Sequence, residues 1–232
     1  MLSAQTADTA WEVITVLRLQ DICKTYDGGR VQALDHIDLH VPPGTYLSIT
    51  GASGSGKTTL LHILGCLMRP TSGTYLLNGV DVGALSERER TALRAREIGF
   101  VFQDFRLVPR MNVIENVALP LTFRGVSREE REARAVDALC MVGLGHRLRH
   151  APVTLSGGQQ QRAAIARALC ASPSLLLADE PTGNLDPQAA ADVLALFDRL
   201  HENGKTIVLI THDQKAAARA AHSIRIRDGR IV

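Results

Sequence analysis

Gly51-Ala52-Ser53-Gly54-Ser55-Gly56-Lys57-Thr58-Thr59 lies between Tyr46-Leu47-Ser48-Ile49-Thr50 and Leu60-Leu61-His62-Ile63-Leu64. The spacing fits G-x-x-x-x-G-K-[ST], a phosphate-binding loop, set between a run that alternates like a short strand and a run that opens an apolar helix. Glycines let the backbone curl round an anion with successive N–H groups pointing inward, and the helix N-terminus adds partial positive charge. In that arrangement Lys57 is expected to reach the β- and γ-phosphates of a nucleoside triphosphate, and Thr58 to ligate Mg²⁺. Gly204-Lys205-Thr206 repeats the G-K-T triplet without the upstream glycine, and reads as a helix end leading into a strand.

Outward from the loop, three zones follow. From about Val13 to Phe102, Val16-Leu17-Arg18-Leu19 and Ile37-Asp38-Leu39-His40-Val41 alternate with period two, and Thr74-Tyr75-Leu76-Leu77 and Ile98-Gly99-Phe100-Val101-Phe102 add strands. Ser86 with Glu89 makes a capping box that opens a short charged helix. From about Gln103 to Ser172 the pattern is helical: Asn112 with Glu115 and Ser127 with Glu130 start two helices, and Pro152 interrupts before a third near Ser156. Arg128-Glu129-Glu130-Arg131-Glu132 carries cancelling signs and reads as a solvated helix face. In the third zone Leu175-Leu176-Leu177-Ala178 and Thr206-Ile207-Val208-Leu209-Ile210-Thr211 are short apolar strands suited to a buried parallel sheet. A helix capped by Asp186 and Pro187 joins them. A further helix is expected over Asp213 to Ala221, and a hairpin from Ser223 to Val232 around Asp228-Gly229. Strands alternating with helices imply a parallel sheet whose C-terminal loops build the site.

Composition narrows the function classes. With 232 residues the chain suffices for one substantial α/β core, and a net charge of +2 selects no polyanionic partner. No run of about 18 uncharged apolar residues is present to span a bilayer. Cys23, Cys66, Cys140 and Cys170 show no C-x-x-C spacing and fit reduced thiols in a core better than disulfides or a zinc site. The histidines at 36, 40, 62, 146 and 150 show no ligand spacing. Met1 to Ala10 lacks the basic start and apolar middle of a secretory signal, and residues 1–12 are expected to be a disordered extension.

Two further constellations carry chemistry. Asp179 and Glu180 follow the strand Leu175 to Ala178, which delivers both carboxylates to the sheet edge where the phosphate loop lies. There Asp179 would hold Mg²⁺ through its water shell and Glu180 would polarise a water for in-line attack on the γ-phosphate. Leu155-Ser156-Gly157-Gly158-Gln159 opens a helix with a serine and two glycines, and reads either as a plain helix cap or as a second anion nest. A complete phosphate loop upstream favours the nest.

Gly51 to Thr58, Gln103, Leu155 to Gln159, Leu175 to Glu180, Asn184-Leu185-Asp186 and His212 stand in the order found in ATP-binding cassette (ABC) ATPases, and the chain resembles that family over essentially everything after Val13. The resemblance implies an α/β, P-loop NTPase fold: a mostly parallel sheet core with an antiparallel β subdomain and an inserted α-helical subdomain over about residues 103–172, all within an ATPase domain of residues 13–232. It implies ATP and Mg²⁺ as ligands and Gly51, Ala52, Ser53, Gly54, Ser55, Gly56, Lys57, Thr58 and Thr59 as the phosphate-binding segment. It implies that Tyr26 stacks on adenine, that Gln103 senses Mg²⁺ and the partner, that Asp186 communicates across a dimer, and that His212 contacts the γ-phosphate. Two copies would pair head to tail, each ATP lying between the loop of one copy and Ser156, Gly157, Gly158 and Gln159 of the other. Ile63-Leu64-Gly65-Cys66-Leu67, Glu115-Asn116-Val117 and Ala178 to Asp186 are similar to the branch of macrolide-export (MacB), lipoprotein-release (LolD) and cell-division (FtsE) ATPases.

These likenesses imply an ATPase subunit at the cytoplasmic face of the membrane, driving a separate permease-like subunit. Phe105 to Asn116 is the surface expected to meet that subunit, with Leu107 and Val108 as coupling residues. A non-transport ATPase acting on cell-wall hydrolases through a membrane partner is the alternative. No nucleic-acid partner is expected, because the chain lacks the coiled-coil insertion, zinc modules or second cassette of the DNA- and ribosome-acting cassettes. A GTPase is disfavoured by the lack of an Asn-Lys-x-Asp motif.

Overall fold

Antiparallel pairing comes first along the chain. In the computed structural model, which describes residues 15–232, β1 (Leu17–Tyr26) and β2 (Val31–Val41) form a hairpin with Leu17 opposite Val41 and Leu19 opposite Leu39. The expected N-terminal extension lies outside the described residues. After β3 (Tyr46–Thr50) and α1 (Lys57–Leu64) come β4 (Ser72–Leu77), β5 (Val80–Asp81), α2 (Glu87–Glu97) and β6 (Ile98–Phe102). A helical stretch follows: α3 (Val113–Phe123), α4 (Arg128–Met141) and α5 (Gly157–Cys170). The chain then runs through β7 (Leu175–Asp179), α6 (Pro187–Glu202), β8 (Thr206–Ile210), α7 (Gln214–Ala217), β9 (His222–Arg227) and β10 (Arg230–Ile231).

Two sheets result. Strands in the order β2-β1-β4-β5 make an antiparallel sheet, and β10-β9-β3-β8-β7-β6 make a second one in which all pairs but the β10–β9 edge are parallel. The uniform apolar runs of β7 and β8 are explained by burial on both faces. Side chains alternate across a strand, and accordingly Leu176, Ala178, Ile207 and Leu209 join the core beneath the helices. Leu175, Leu177, Val208 and Ile210 join the core shared with α1 and the antiparallel sheet. Together with β3 they place the chemistry-bearing loops at one sheet edge.

Helix starts follow local sequence closely. Ser86 with Glu89, Asn112 with Glu115, and Ser156 with Gln159 form reciprocal capping boxes. Ser127 accepts from the Glu130 N–H, while the Glu130 carboxylate turns outward to Arg134. Asp186 Oδ1 accepts from the N–H groups of Gln188 and Ala189, with Pro187 at the first helical position. Gly204, at φ +79°, carries the chain out of α6 toward β8.

Two expectations need correction. The helix expected over Asp213 to Ala221 is one turn, Gln214–Ala217, closed by tight bonds from Arg219 N–H to Ala216 O and from Ala220 N–H to Ala217 O. Continuing a helix through alanines gains only tenths of a kcal/mol per residue over other helix formers. Leaving it lets β9 pair with β3 from His222 opposite Leu47 and buries Ile226, and a buried isoleucine alone contributes roughly 1.5–3 kcal/mol. Sheet pairing therefore wins. Among the cysteines, Cys23, Cys66 and Cys170 are buried free thiols, but Cys140 near the end of α4 is exposed rather than in the core.

Candidate functional site

β3 delivers its last residue, Thr50, to the loop that precedes α1, and the loop is locked from outside by the C-terminal hairpin. A Cβ at Gly51 would lie 2.3 Å from Ile226 O, and one at Gly56 would lie 2.5 Å from Ala33 O. Gly51 has φ +154° and Gly56 φ +108°, so both the close approach and the backbone require glycine. Gly229 N–H donates to Ser55 O at 3.0 Å. Lys57 Nζ bridges the loop by donating to Gly51 O at 2.8 Å and Ala52 O at 2.7 Å. Ser55 Oγ is buried in the loop with no protein partner among the described residues. An orphaned hydroxyl, unpaired first-turn N–H groups and a lysine cation together fit a phosphate chain.

A cavity of about 540 Å³ opens there, lined by Ala33, Gly51 to Gly54, Gly56 to Thr59, Asp179, Glu180, Ile210 and His212. Asp179 ends β7, and its carboxyl is pushed above the usual range by burial and then by the Glu180 charge. A cation near Asp179 would relieve both effects, and Thr58 lines the same cavity, so a hydroxyl and a carboxylate offer the hard oxygens that Mg²⁺ takes.

Glu180 turns out of β7 with φ +45°, a left-handed backbone costing about 1–3 kcal/mol in a non-glycine residue. Three contacts hold its carboxylate to the end of β8. Thr211 Oγ donates to Oε2 at 3.1 Å, His212 N–H donates to Oε1 at 3.0 Å, and the His212 ring Nδ1 lies 2.7 Å from Oε1. Its own N–H donates to Ile210 O at 2.9 Å. Pinned in this way, the carboxylate is aimed rather than freely solvated.

The remaining sequence-predicted residues sit elsewhere. Gln103 follows β6, outside the cavity lining, and its Nε2 donates to Asn184 Oδ1 at 2.9 Å. Asn184 Nδ2 in turn donates to Asp104 Oδ1 at 2.9 Å, which ties the loop after β6 to the loop after β7. Asp186 caps α6 from the same loop. Tyr26 ends β1 half-buried, its hydroxyl 3.4 Å from Thr59 Oγ1 and 3.2 Å from Met68 Sδ. Ser156, Gly157, Gly158 and Gln159 form the N-terminus of α5, and none of them lines the cavity.

Sequence reasoning missed Gln161, which looks like one more polar residue in Gln159-Gln160-Gln161. It is fully buried, and its Nε2 donates to Phe102 O at 3.1 Å and Pro181 O at 2.6 Å. The Ser156 helix is thereby welded to the ends of β6 and β7. Its spacing in α5 offered a signal, since it stands four residues before the apolar Ile165 and so shares a helix face with it.

A family model described as ABC transporter matches residues 34–183. An ABC transporter ATP-binding protein of Thermotoga maritima is 51% identical over 218 residues, covering 93% of each chain. YvrO of Bacillus subtilis, also described as an ABC transporter ATP-binding protein, is 50% identical over 94% of this chain and 96% of its own. The macrolide export ATP-binding/permease protein MacB of Syntrophobacter fumaroxidans is 53% identical over 92% of this chain, which spans only 31% of MacB. Among solved structures, the dimeric ATP-binding cassette MJ0796 bound to ADP and Pi superposes with a TM-score of 0.83 at 42% identity, over 93% of this chain and 96% of that one. CbiO1 of Clostridium perfringens, part of the ABC transporter complex cbiONQ, superposes at 0.85 with 28% identity, over 94% of this chain and 87% of its own. A phosphate loop facing a strand-end acid pair, on a chain with relatives of this kind, belongs to the ABC transporter family as one of its ATP-binding, ATP-hydrolysing subunits.

Proposed function

We propose that two copies of this chain close head to tail around two ATP molecules and transmit that closure to a membrane-embedded partner at the cytoplasmic face, in an export system like that of MacB. The observation that carries this reading is the division of the phosphate-binding elements. The cavity holds the loop, Asp179, Glu180 and His212, whereas the Ser156 nest opens elsewhere on the same chain. A nest on a second copy is then what completes the site. Mg²⁺ held by Thr58 and by the water shell of Asp179 would supply Lewis-acid stabilisation of charge on the transferred phosphoryl group. Lys57 binds the phosphates, the loop N–H groups orient them, and Glu180 accepts the proton of the attacking water at its carboxylate while His212 holds that carboxylate in place. Tyr26, Gln103 and Asp186 take the adenine-stacking, metal-sensing and cross-dimer roles implied by the family.

Mixed dimers test the composite site. Lys57→Ala and Ser156→Arg placed in one subunit, opposite an unaltered copy, should disable both sites. Split between the two subunits, they should leave one site whole. Equal ATPase rates in the two arrangements would contradict sites built from two chains.

Closure that shifts a pairing equilibrium from about 1:99 to 99:1 takes roughly 5.5 kcal/mol, or about half of that from each ATP. No helix among the described residues is long and apolar enough to cross a membrane, so the work must leave through a surface. Leu107, expected to lie on that surface, packs half-buried against the helical core, while Val108, anchored through its backbone to the buried Asn116, keeps its side chain exposed there. A better receptor is the apolar groove of about 460 Å³ lined by Leu67, Phe100, Phe102, Leu119, Pro120 and Phe123, with Arg94, Arg106 and Arg167 around it. Phe123 is 80% exposed on the last turn of α3. Phe123→Glu should leave the basal ATPase rate of the purified chain within about twofold, since exposed substitutions rarely cost more than about 0.5 kcal/mol. It should also abolish stimulation by a co-expressed membrane subunit. Stimulation that survives Phe123→Glu would place the coupling surface elsewhere.

A further inference from the structure

Register shifts in the β1–β2 ladder, between Leu19 and Ile22 and again between Ile22 and Lys24, bring together side chains that the sequence keeps apart. Asp21 at φ +54° and His36 at φ +51° both take left-handed backbone at this irregularity, a conformation that L residues adopt at an energetic cost and that clusters where side chains must be aimed. The result is a cluster of thiol, imidazole and carboxylate. His36 N–H donates to Cys23 Sγ at 3.4 Å, and His36 Nε2 lies 3.7 Å from Asp35 Oδ1. One ligand atom from each of Cys23, Asp35 and His36 falls within 4.8 Å of the other two.

From this arrangement we propose that Cys23, Asp35 and His36 form a binding site for one Zn²⁺ ion. The donor set matches the metal: a thiolate, an imidazole nitrogen and a carboxylate oxygen are the ligand types zinc takes. One ligand pair also has the spacing, and the thiol lies within 4.8 Å of both. Bonds of about 2.0–2.3 Å in tetrahedral geometry put ligand atoms roughly 3.3–3.7 Å apart, which the Nε2–Oδ1 pair already meets. Asp21 supplies the orienting carboxylate that a metal-ligating histidine usually has on its other nitrogen, because its Oδ1 lies 2.5 Å from His36 Nδ1. With Nδ1–H donating to Asp21, Nε2 keeps its lone pair for the metal.

Asp35 is held by neighbours without being used up. Arg230 takes Oδ2 at 2.5 Å, and Gln32 Nε2 donates to Oδ1 at 2.8 Å, which leaves a second lone pair on Oδ1. An ion-pair cluster alone would account for His36 between two aspartates, but it gives Cys23 no part. Cys23 is buried to 9% exposure yet lies against the His36 backbone, and His36 itself is exposed, so an ion can enter beside the imidazole. Three protein ligands leave the fourth tetrahedral position to water. Cys23, Asp35 and His36 are all absent from the lining of the nucleotide cavity, so this site is separate from that of Mg²⁺.

The test uses the full chain stripped of metal and kept reduced, without nucleotide. Zn²⁺ is titrated in competition with a chromophoric chelator, and Co²⁺ is added in parallel as a spectroscopic probe of thiolate ligation. One equivalent of Zn²⁺ should bind, and Co²⁺ should develop a thiolate charge-transfer band. Cys23→Ser should abolish that band, whereas Cys140→Ser, at the exposed thiol, should leave it intact. His36→Asn removes the imidazole while retaining a residue that tolerates left-handed backbone, and it should weaken Zn²⁺ at least tenfold. Asp21→Asn, which only positions His36, should weaken it by about 10–100-fold. Unchanged ATP binding by His36→Asn verifies that the fold persists, so the test does not depend on the buried Cys23 variant folding. Failure to bind a stoichiometric Zn²⁺, a Co²⁺ band that survives Cys23→Ser, or equal affinity in His36→Asn would each overturn the site.

Discussion

Replacing Glu180 with glutamine lowers ATP turnover by about 10²–10⁴-fold, the weight of a positioned general base, while ATP still binds. The geometry explains the separation of the two effects. Glutamine keeps the volume, and its amide oxygen can still accept from His212 N–H or Thr211 Oγ, so the end of β8 stays in place. What is lost is a basic oxygen held against a strained backbone, at a point where Glu180 and the phosphate loop line one cavity. ATP affinity depends mainly on the loop and should change little. The variant should therefore accumulate in the ATP-bound, paired form, visible as an ATP-dependent doubling of mass in solution. Single-turnover hydrolysis alongside equilibrium ATP titration measures both quantities. Hydrolysis near the unaltered rate would remove Glu180 from the chemistry.

Lys57→Ala fails earlier. Its Nζ is the cation of the loop, held by two carbonyls at 2.7 and 2.8 Å beside the first turn of α1. A hydrogen bond to a charged group is worth about 1.5–3 kcal/mol net, so ATP affinity should fall roughly 10–150-fold. Turnover at low ATP falls with it, and the loss is only partly recovered by raising ATP. Equilibrium titration decides: a dissociation constant equal to that of the unaltered chain would mean that Lys57 does not meet the phosphates.

The parts of this molecule that were legible in the sequence are those determined by neighbours along the chain or by a uniform environment. The serine and asparagine starts of α2 and α3 depend on a partner three residues away and form as read, and α5 starts at Ser156 as expected, with a Gln159 partner that the sequence reading did not name. Leu175 to Ala178 and Ile207 to Ile210 are apolar throughout because both faces are covered, so no register is needed to recognise them. What escaped reading depends on long-range pairing. Nothing local tells the alanines after Asp213 to stop being helical, because the reason is the pairing of His222 with Leu47 across the sheet. Gln161 reads as polar surface until the end of β6 and the loop after β7 supply the two carbonyls it bonds. Cys23 and His36, thirteen positions apart, show no ligand spacing because the ladder irregularity that unites them is a property of two strands.

The sheet order also bears on how the molecule is made. β3, which leads into the phosphate loop, is flanked on one side by β8 and on the other by β9. Both neighbours are synthesised more than 150 residues after it, and Gly229, which braces Ser55, comes later still. At about 5–20 residues per second a ribosome needs roughly 10–35 s to travel from Thr50 to Arg227. Until Ile210 is made, Tyr46 to Thr50 has neither of its sheet partners, and until Arg227 is made it lacks β9 while the loop after it lacks its outer wall. A nascent chain paused or cut short before β9 would carry every residue of the phosphate loop and still bind ATP poorly. The nucleotide pocket is thus completed only once β9 and the turn at Gly229 have been made, long after the loop it is built around.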